Sequence, residues 1–480
     1  MRICMIAEGS YPYITGGVSS WIHSLATHMP KHEFVILAIG ADEKQRGQFR
    51  YTLPPNIVEV KEVFLNSFMK DAPPARDRLR LSAEEREALS ALLGGGKALN
   101  WACLFDLIRS DRVATAGHLL MSREFFQVLT ERCREDYAHI PFTEMYWTVR
   151  SMMLPLLLTI RGDIPEADLY HSVSTGYAGV LGALGKHLYG KPFLLTEHGI
   201  YSREREEEII KADWVQGYFK DLWIRYFYRL SEAAYTMSDE VITLFGRNKE
   251  IEMEIGCDER KIKIIPNGVN VADYASVAGP PPEGGPLRIG AIVRLVPIKD
   301  IKTMIQSFAL VKRELPEAEL HIMGPTDEDK DYFRECVELA DTLGISDITF
   351  TGQVNIREYL GKLDIIVLSS ISEGMPLAIL EAMAAGKPCV TTDVGSCREL
   401  LDGRGDPFGP AGFTVPVMHY DRMAGAVVKL GHSRELREQM GASGLARAEA
   451  LYTHSAFIRS YRELYDHYKE AGAWPASALN

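Results

Sequence analysis

The sequence predicts an α/β protein made of two doubly wound, parallel-sheet domains in tandem, and three observations carry that prediction. At 480 residues the chain exceeds the size at which one hydrophobic core keeps growing, so two cores are expected. Short apolar runs that end in glycine or a polar loop and pass into helical patterns recur along it, which is the rhythm of an open α/β sheet. That rhythm stops at 275–286, ASVAGPPPEGGP, and restarts beyond it, so this proline- and glycine-rich stretch reads as a linker.

Before the linker, RICMIAEG, EFVILAIG, ADLYHSVS, PFLLTEHG, DEVITLFG and KIKIIPNG are the strand candidates of a first domain over 1–275. Residues 70–150 interrupt the series with helix formers (SAEEREALSALL, WACLFDLIRS, REFFQVLTERCRED) and predict a helical insertion, most simply a cap on the sheet rather than a partner-binding element. Asp213 to Tyr235 is dense in aromatics, including Trp214, Tyr218, Trp223 and Phe227, with Lys220, Arg225 and Arg229 between them. A helix packed in the core is the plain reading, and a membrane-surface or acceptor-saccharide face is the alternative. After the linker, LRIGAIVRL, AELHIMGP, DITFTGQV, LDIIVLSS and KPCVTTDVG predict a second domain over 284–455. Phe457, Tyr461, Leu464, Tyr465 and Tyr468 fall at helical spacing within 456–480, a closing helix expected to pack back on the first domain, with a frayed tail after Gly472.

Lys plus Arg number 53 against 65 Asp plus Glu, a formal charge of −12 that argues against nucleic acid as a partner. The seven cysteines form no CxxC pair, which suits a reducing cytosol and no structural metal. Glu8 and Gly9 interrupt the first apolar run before a signal-peptide core is complete, and the longest apolar run, Ser151 to Ile160, is too short to span a bilayer and contains Pro155. A soluble protein is expected.

The chemistry concentrates at strand ends. In SEGMPLAILEAMAAGKP, Ser372 to Pro388, a strand gives way to a tight loop and a helix: Pro376 suits a first helical position and Gly386 a helix end. Glu373 then falls in the loop and Glu381 on the helix. A helix start of this kind can hold an anion, and a carboxylate beside that anion needs cations nearby or hydroxyl partners. Arg294 and Lys299, in RLVPIKD after the strand LRIGAIV, can supply the cations beyond a strand's carboxyl end, where open α/β sheets place ligands. Neither carboxylate then needs a raised pKa.

In the first domain, Gly16 and Gly17 open a helix near Val18 and let backbone approach a ligand closely. His198 ends the strand run PFLLTEHG, while His171, at a neighbouring strand tip, reads as an ordinary polar strand end. The acidic run TDEDKD at Thr326 to Asp331 reads as a solvated loop and helix start, and RGD at Arg404 to Asp406 as a surface turn.

Taken together, RLVPIKD, SEGMPLAILEAMAAGKPCVTTDVG and the GG loop resemble glycosyltransferase family 4. The resemblance covers essentially the whole chain, and its E-x7-E signature, Glu373 and Glu381, is the specific part. EGSYPYITGGVSSW, the helical insertion and TEHGIYSRER resemble more closely the cytosolic glycosyltransferases of Pel exopolysaccharide assembly. The resemblance implies the GT-B architecture, two Rossmann-like domains facing a cleft, and a retaining, metal-independent hexosyltransferase that needs no cofactor beyond a UDP-linked sugar such as UDP-glucose. It implies that Arg294 and Lys299 bind the diphosphate, that Glu381 binds the ribose hydroxyls, and that Glu373 faces the donor sugar and phosphate without acting as a covalent nucleophile. It further implies a backbone cradle at Gly374, Met375, Pro376 and Leu377, close nucleotide approach at Gly16, Gly17 and Gly324, base contacts along Thr351 to Val354, and His198 near the donor sugar. A saccharide acceptor, a cytoplasmic location and an inner-membrane synthase complex complete the expectation. Two alternatives share the fold: a UDP-sugar epimerase or a sucrose or glycogen synthase relative, and a catalytically silent donor-binding subunit. Intact Arg294, Lys299, Glu373 and Glu381 weigh against the silent subunit.

Overall fold

A computed structural model describes residues 1–65, 79–94, 98–279, 281 and 284–472 of the protein. The expected start of the helical insertion, part of the predicted linker and the predicted frayed tail lie outside the described residues. The chain divides into two compact units: Met1–Thr243 with Lys249–Lys263 and Arg462–Asn480, and Leu244–Asn248 with Ile264–Tyr461. The predicted linker therefore falls inside the second unit.

The first unit is built on seven strands: β1 (Arg2–Glu8), β2 (Glu33–Gly40), β3 (Ile57–Phe64), β4 (Leu169–Ser172), β5 (Phe193–Glu197), β6 (Glu240–Thr243) and β7 (Ile262–Ile264). They lie in the order β3-β2-β1-β4-β5-β6-β7. β1 is flanked in parallel by β2 and β4, with Ile3 opposite both Phe34 and Leu169, and its residues Ile3 to Ala7 are buried. A strand covered on both faces reads as a continuous apolar run, which is why RICMIAE was visible in the sequence. β3 was not. Its sequence, IVEVKEVF, mixes charged with apolar residues, as an edge strand tolerates, and Lys61 within it pairs with Asp163.

Among the described residues five helices, Ala83–Leu92, Trp101–Arg109, Ala116–Leu120, Arg123–Asp136 and Phe142–Arg161, lie between β3 and β4. The first opens on a capping box in which Ser82 and Glu85 satisfy each other's backbone N–H groups. Leu104, Phe105, Ile108 and Leu129 share one core with Cys4, Ile6 and Leu37 of the sheet, so the insertion covers the sheet as a cap. It runs to Arg161 rather than to 150. The apolar run that contains Pro155 is the second half of the last helix, where burial of Met152, Met153, Leu156, Leu157 and Ile160 outweighs the backbone bond lost at proline.

The aromatic segment forms the helix Gly217–Met237, which buries Phe219, Tyr226, Phe227 and Tyr235. Core packing accounts for most of it, while Trp214 just before it is 70% exposed and Tyr218 is 44% exposed. The closing helix, His454–Gly472, buries Phe457, Tyr461, Leu464 and Tyr465.

The second unit carries β8 (Arg288–Ile292), β9 (Glu319–Met323), β10 (Ile348–Gly352), β11 (Ile365–Leu368), β12 (Cys389–Thr392) and β13 (Gly412–Val415). Their order is β10-β9-β8-β11-β12-β13, and every paired neighbour is parallel. All carboxyl ends therefore meet at one edge, and the order reverses between β8 and β11, where such sheets open a crevice. β13, GFTV, escaped the sequence reading because it lies between Pro410 and Pro416 in a glycine- and proline-rich stretch that reads as turn. Among the described residues no helix is long and apolar enough to cross a membrane.

Candidate functional site

In the second unit, the loops that leave β8 and β11 flank the point where strand order reverses, and they are laced together. Ile371 N–H donates to the Ile298 carbonyl at 2.8 Å. The Ser369 hydroxyl reaches the carbonyls of Lys299 and Asp300, both at 2.9 Å. Asp300 holds a left-handed backbone, φ 45°, and its side chain accepts from Thr303 N–H, so it turns the chain and caps the helix Ile301–Glu314 in one residue. This fixes the base of Lys299. Its ammonium lies 2.5 Å from Glu373 Oε1, and the Ser370 hydroxyl donates to the same oxygen at 2.6 Å.

Glu373 thus has both kinds of partner that a carboxylate beside an anion site needs, a cation and a hydroxyl. Neither Ser369 nor Ser370 was singled out from the sequence, although two serines closing the strand run LDIIVLSS were a signal available there.

The loop Glu373 to Pro376 is held from behind. Ser396 N–H donates to the Gly374 carbonyl at 3.0 Å, Asn267 N–H points at Met375 Sδ at 3.2 Å, and Pro376 caps the helix Leu377–Ala384. Gly395 has φ 53°, and a Cβ there would meet the Gly374 carbonyl oxygen at 2.1 Å, so only glycine lets the backing strand end come this close. Leu377 begins the helix, whose first N–H groups lack intrahelical partners.

Glu381, one turn along, is not beside Glu373's partner. Burial raises its pKa above the ordinary carboxylate value, and Tyr274 and Arg357 are the neighbours that oppose the rise. The expectation of an unshifted Glu381 is corrected here, because a side chain tucked against the short turn Val271–Val277 loses water faster than two neighbours restore its charge.

Arg294 reaches Glu328 instead, Nη1 to Oε1 at 2.5 Å, with side chains 48% and 42% exposed. Glu328 belongs to the acidic run, in which Asp329 caps the helix Lys330–Thr342 through Tyr332 N–H. Gly324 closes β9 with φ 152°, and a Cβ on it would strike the Val293 carbonyl oxygen at 1.9 Å. Close packing of β9 on the end of β8 is thus reason enough for glycine there. Val354 is half-buried beyond β10.

The first unit places its predicted residues at the carboxyl edge of its own sheet. Gly16 and Gly17 follow β1, are exposed, and have open space where side chains would stand; the helix begins at Gly17. His198 follows β5, its ring edge-on to Trp21 with centroids 4.9 Å apart. Burial lowers its pKa to about 4, so the imidazole is neutral near pH 7, and its Nε2 makes no hydrogen bond among the described residues. His171 is spent structurally: Nδ1 meets the Tyr465 hydroxyl at 2.7 Å and Nε2 the Thr196 hydroxyl at 2.8 Å, which ties the closing helix to the sheet.

Behind His198 sits a feature the sequence did not disclose. Glu197 is fully buried, takes hydrogen bonds from the hydroxyls of Tyr235 and Thr175 and from Tyr201 N–H, and has the buried Glu252 as an acidic neighbour. Burial pushes both carboxyls up.

Two parallel-sheet units, the second with Lys299 and Glu373 paired at its switch point, have the architecture of the GT-B glycosyltransferases. Residues 286–433 match the family described as glycosyl transferases group 1. Residues 1–260 match the family described as "Domain of unknown function (DUF3492)", and the chain belongs to that family.

Among curated relatives, the N-acetyl-alpha-D-glucosaminyl L-malate synthase of Bacillus anthracis is 28% identical over 170 residues, 35% of this chain and 42% of that one. The chain thus spans less than half the length of that relative. The UDP-Gal:alpha-D-GlcNAc-diphosphoundecaprenol alpha-1,3-galactosyltransferase of Escherichia coli is 25% identical over 56% of this chain and 67% of its own. Anabaena Alr3699/HepE, solved in complex with UDP and glucose, superposes with a TM-score of 0.60 at 15% identity, over 97% of this chain and 100% of that one, a likeness of fold.

Proposed function

We propose that the protein is a retaining hexosyltransferase that moves a sugar from a UDP-linked donor, UDP-glucose or a close relative, onto a growing saccharide. The observation that carries the reading is the Lys299 ammonium held on Glu373 by two loops laced across the switch point of the second sheet. It is a cation fixed in place and matched, until a ligand arrives, by a carboxylate that has a second partner in Ser370. A diphosphate offers Lys299 a stronger acceptor, and Glu373 is then freed toward the sugar hydroxyls.

In the proposed reaction the bond between the sugar's anomeric carbon and the phosphate oxygen breaks, and its electron pair leaves on the phosphate. Lys299 and Arg294 stabilise that growing charge, the role a metal would otherwise fill. The acceptor hydroxyl attacks on the same face and its proton passes to the departing phosphate oxygen, so Glu373 forms no covalent bond. Neutral His198 serves the transferred sugar as a hydrogen-bonding partner, and Glu381 serves the ribose.

The resemblance of EGSYPYITGGVSSW and TEHGIYSRER to PelF, the cytosolic glycosyltransferase of Pel exopolysaccharide assembly, supports placing the reaction in exopolysaccharide synthesis on the cytoplasmic side, in company with an inner-membrane synthase. The Escherichia coli relative named for a UDP-galactose donor, and HepE with its bound UDP, support the UDP link. The test is a panel of UDP-, ADP- and GDP-sugars with nucleotide release measured for the parent. Release from UDP-sugars alone is expected. A chain that bound none of them would not be a glycosyltransferase, and one that epimerised the sugar without transferring it would be the other enzyme of this fold.

A further inference from the structure

Three consecutive residues at the end of β5 are put to different uses. Thr196 meets His171, Glu197 turns to the opposite face as strand neighbours do, and His198 follows where the chain leaves the sheet. Only His198, Gly199 and Ile200 separate the strand from the helix Tyr201–Lys211. Ile200 offers that helix no side-chain cap, and Glu197 takes the part of one: its Oε1 accepts from Tyr201 N–H at 3.1 Å. The carboxylate thus bridges the two ends of the loop that carries His198. It also ties that loop to the helix Gly217–Met237. Oε2 accepts from the Tyr235 hydroxyl at 2.5 Å, and Oε1 from the Thr175 hydroxyl at 3.2 Å, which in turn accepts from the Ser231 hydroxyl at 2.9 Å. Glu197 and Thr175 are fully buried, and Ser231 and Tyr235 nearly so. Past the loop, the Tyr201 hydroxyl donates to Glu8 Oε1 at 3.2 Å, at the end of β1. His198 itself rests edge-on against Trp21, with its buried Nε2 in no hydrogen bond among the described residues. The ring therefore owes its place to Trp21 and to the backbone that Glu197 holds.

We propose that Glu197 is a positioning residue for His198: by tying Tyr201 N–H, Tyr235 and Thr175 to the strand end, it holds the imidazole where Nε2 meets a hydroxyl of the transferred sugar. This rests on the reading of His198 given above. A hydrogen bond weakens steeply once its angle falls away, and a misplacement of about 1 Å at a reacting group can cost on the order of 10² in rate. A carboxylate suits the task because its two oxygens offer about four acceptor directions, enough for all three donors at once. The nucleotide has no sugar hydroxyl for His198 to meet. Glu197 therefore acts on transfer of the sugar and leaves binding of free UDP alone.

The experiment measures, on the full chain, UDP affinity by calorimetric titration and kcat as nucleotide release from UDP-glucose to water. The proteins are the parent, Glu197→Ala, Glu197→Gln, Tyr235→Phe and His198→Ala, with Glu197→Ala and Tyr235→Phe also combined with His198→Ala. Glu197→Ala should lower kcat about ten- to hundredfold, with UDP affinity within about twofold of the parent. Tyr235→Phe keeps the ring, removes one donor and should lower kcat about three- to tenfold, the worth of one hydrogen bond. Glu197→Gln keeps an acceptor for Tyr201 N–H and should restore kcat to within about threefold of the parent. In the His198→Ala background both losses should disappear, because residues that act as a unit are not additive. If Glu197→Ala does not fold, Tyr235→Phe carries the same comparison. Losses of equal size with and without His198, or parent-like kcat in the single variants, make Glu197 a packing residue and overturn the inference while the donor reading stands. If His198→Ala turns over like the parent, or the parent releases no nucleotide, the reading of His198 or of the donor falls first, and this inference with it.

Discussion

The ammonium of Lys299 lies 2.5 Å from Glu373 Oε1, with side chains only 16% and 11% exposed. Two charges so placed are each other's main solvent, and removing either leaves its partner short of a counter-charge. A ligand that draws Lys299 away must therefore bring negative charge of its own and polar groups for Glu373. A sugar diphosphate does both.

Lys299→Ala is accordingly expected to lower kcat/KM by roughly 10²–10³, most of it in kcat, because the lost interaction grows as charge moves onto the phosphate. Glu373→Gln keeps a partner for Ser370 but no longer compensates Lys299, and a smaller loss, about tenfold, is expected. Nucleotide release under saturating donor measures both. Parent-like turnover in Lys299→Ala would remove the lysine from the reaction.

Arg294 and Glu328 form a pair of another kind. Both side chains are nearly half exposed, so the bond is worth at most about 1 kcal/mol and weakens with salt. Glu328 here occupies the guanidinium that a diphosphate would need. Glu328→Gln is expected to lower the donor KM about two- to fivefold at low ionic strength, with the gain shrinking as salt rises. An unchanged KM in dilute buffer would show that Arg294 does not meet the donor.

The sequence disclosed what is local. Glu373, Glu381, Arg294 and Lys299 announce themselves because each stands at a strand end or helix start whose pattern is written within a dozen residues. Ser369 and Arg447 do not, because each matters through a neighbour far along the chain that only folding brings close. The same limit explains β3, whose charged edge positions mask its alternation, and the insertion's last helix, where burial overrides a proline. RGD is a third case: Arg404 and Gly405 are exposed as a turn should be, but Asp406 faces inward to Arg447.

Glu197 and Glu252 make the first unit sensitive to alkali. Their folded pKa values lie above those of an unfolded chain, about 4.3 for glutamate, so the folded state holds their protons more tightly. The stabilisation is complete below the unfolded value and is lost as pH rises through the folded ones. Glu252→Gln keeps the shape and removes the titration. Its melting temperature should exceed the parent's by about 2–5 °C at pH 9 and match it near pH 5. Parallel curves for the two proteins between these limits would mean that Glu252 carries no proton in the folded chain.

Arg447 is fully buried, and Asp406 meets it with both oxygens, Nε to Oδ2 at 2.6 Å and Nη2 to Oδ1 at 3.0 Å, while the Leu400 carbonyl takes a further N–H at 2.9 Å. The guanidinium thereby ties the loop after helix Cys397–Asp402 to the long helix Arg434–Leu451, and the arrangement satisfies a charge that could not be buried alone. Removing the carboxylate should be far costlier than replacing the pair: Asp406→Ala is expected to destabilise the second unit by about 3–5 kcal/mol, whereas Asp406→Leu with Arg447→Met should recover much of that loss. Urea unfolding followed by the second unit's transition measures both variants. Equal stability of Asp406→Ala and the parent would mean that backbone carbonyls alone suffice for the arginine, and the loop would then owe its place to packing rather than to charge.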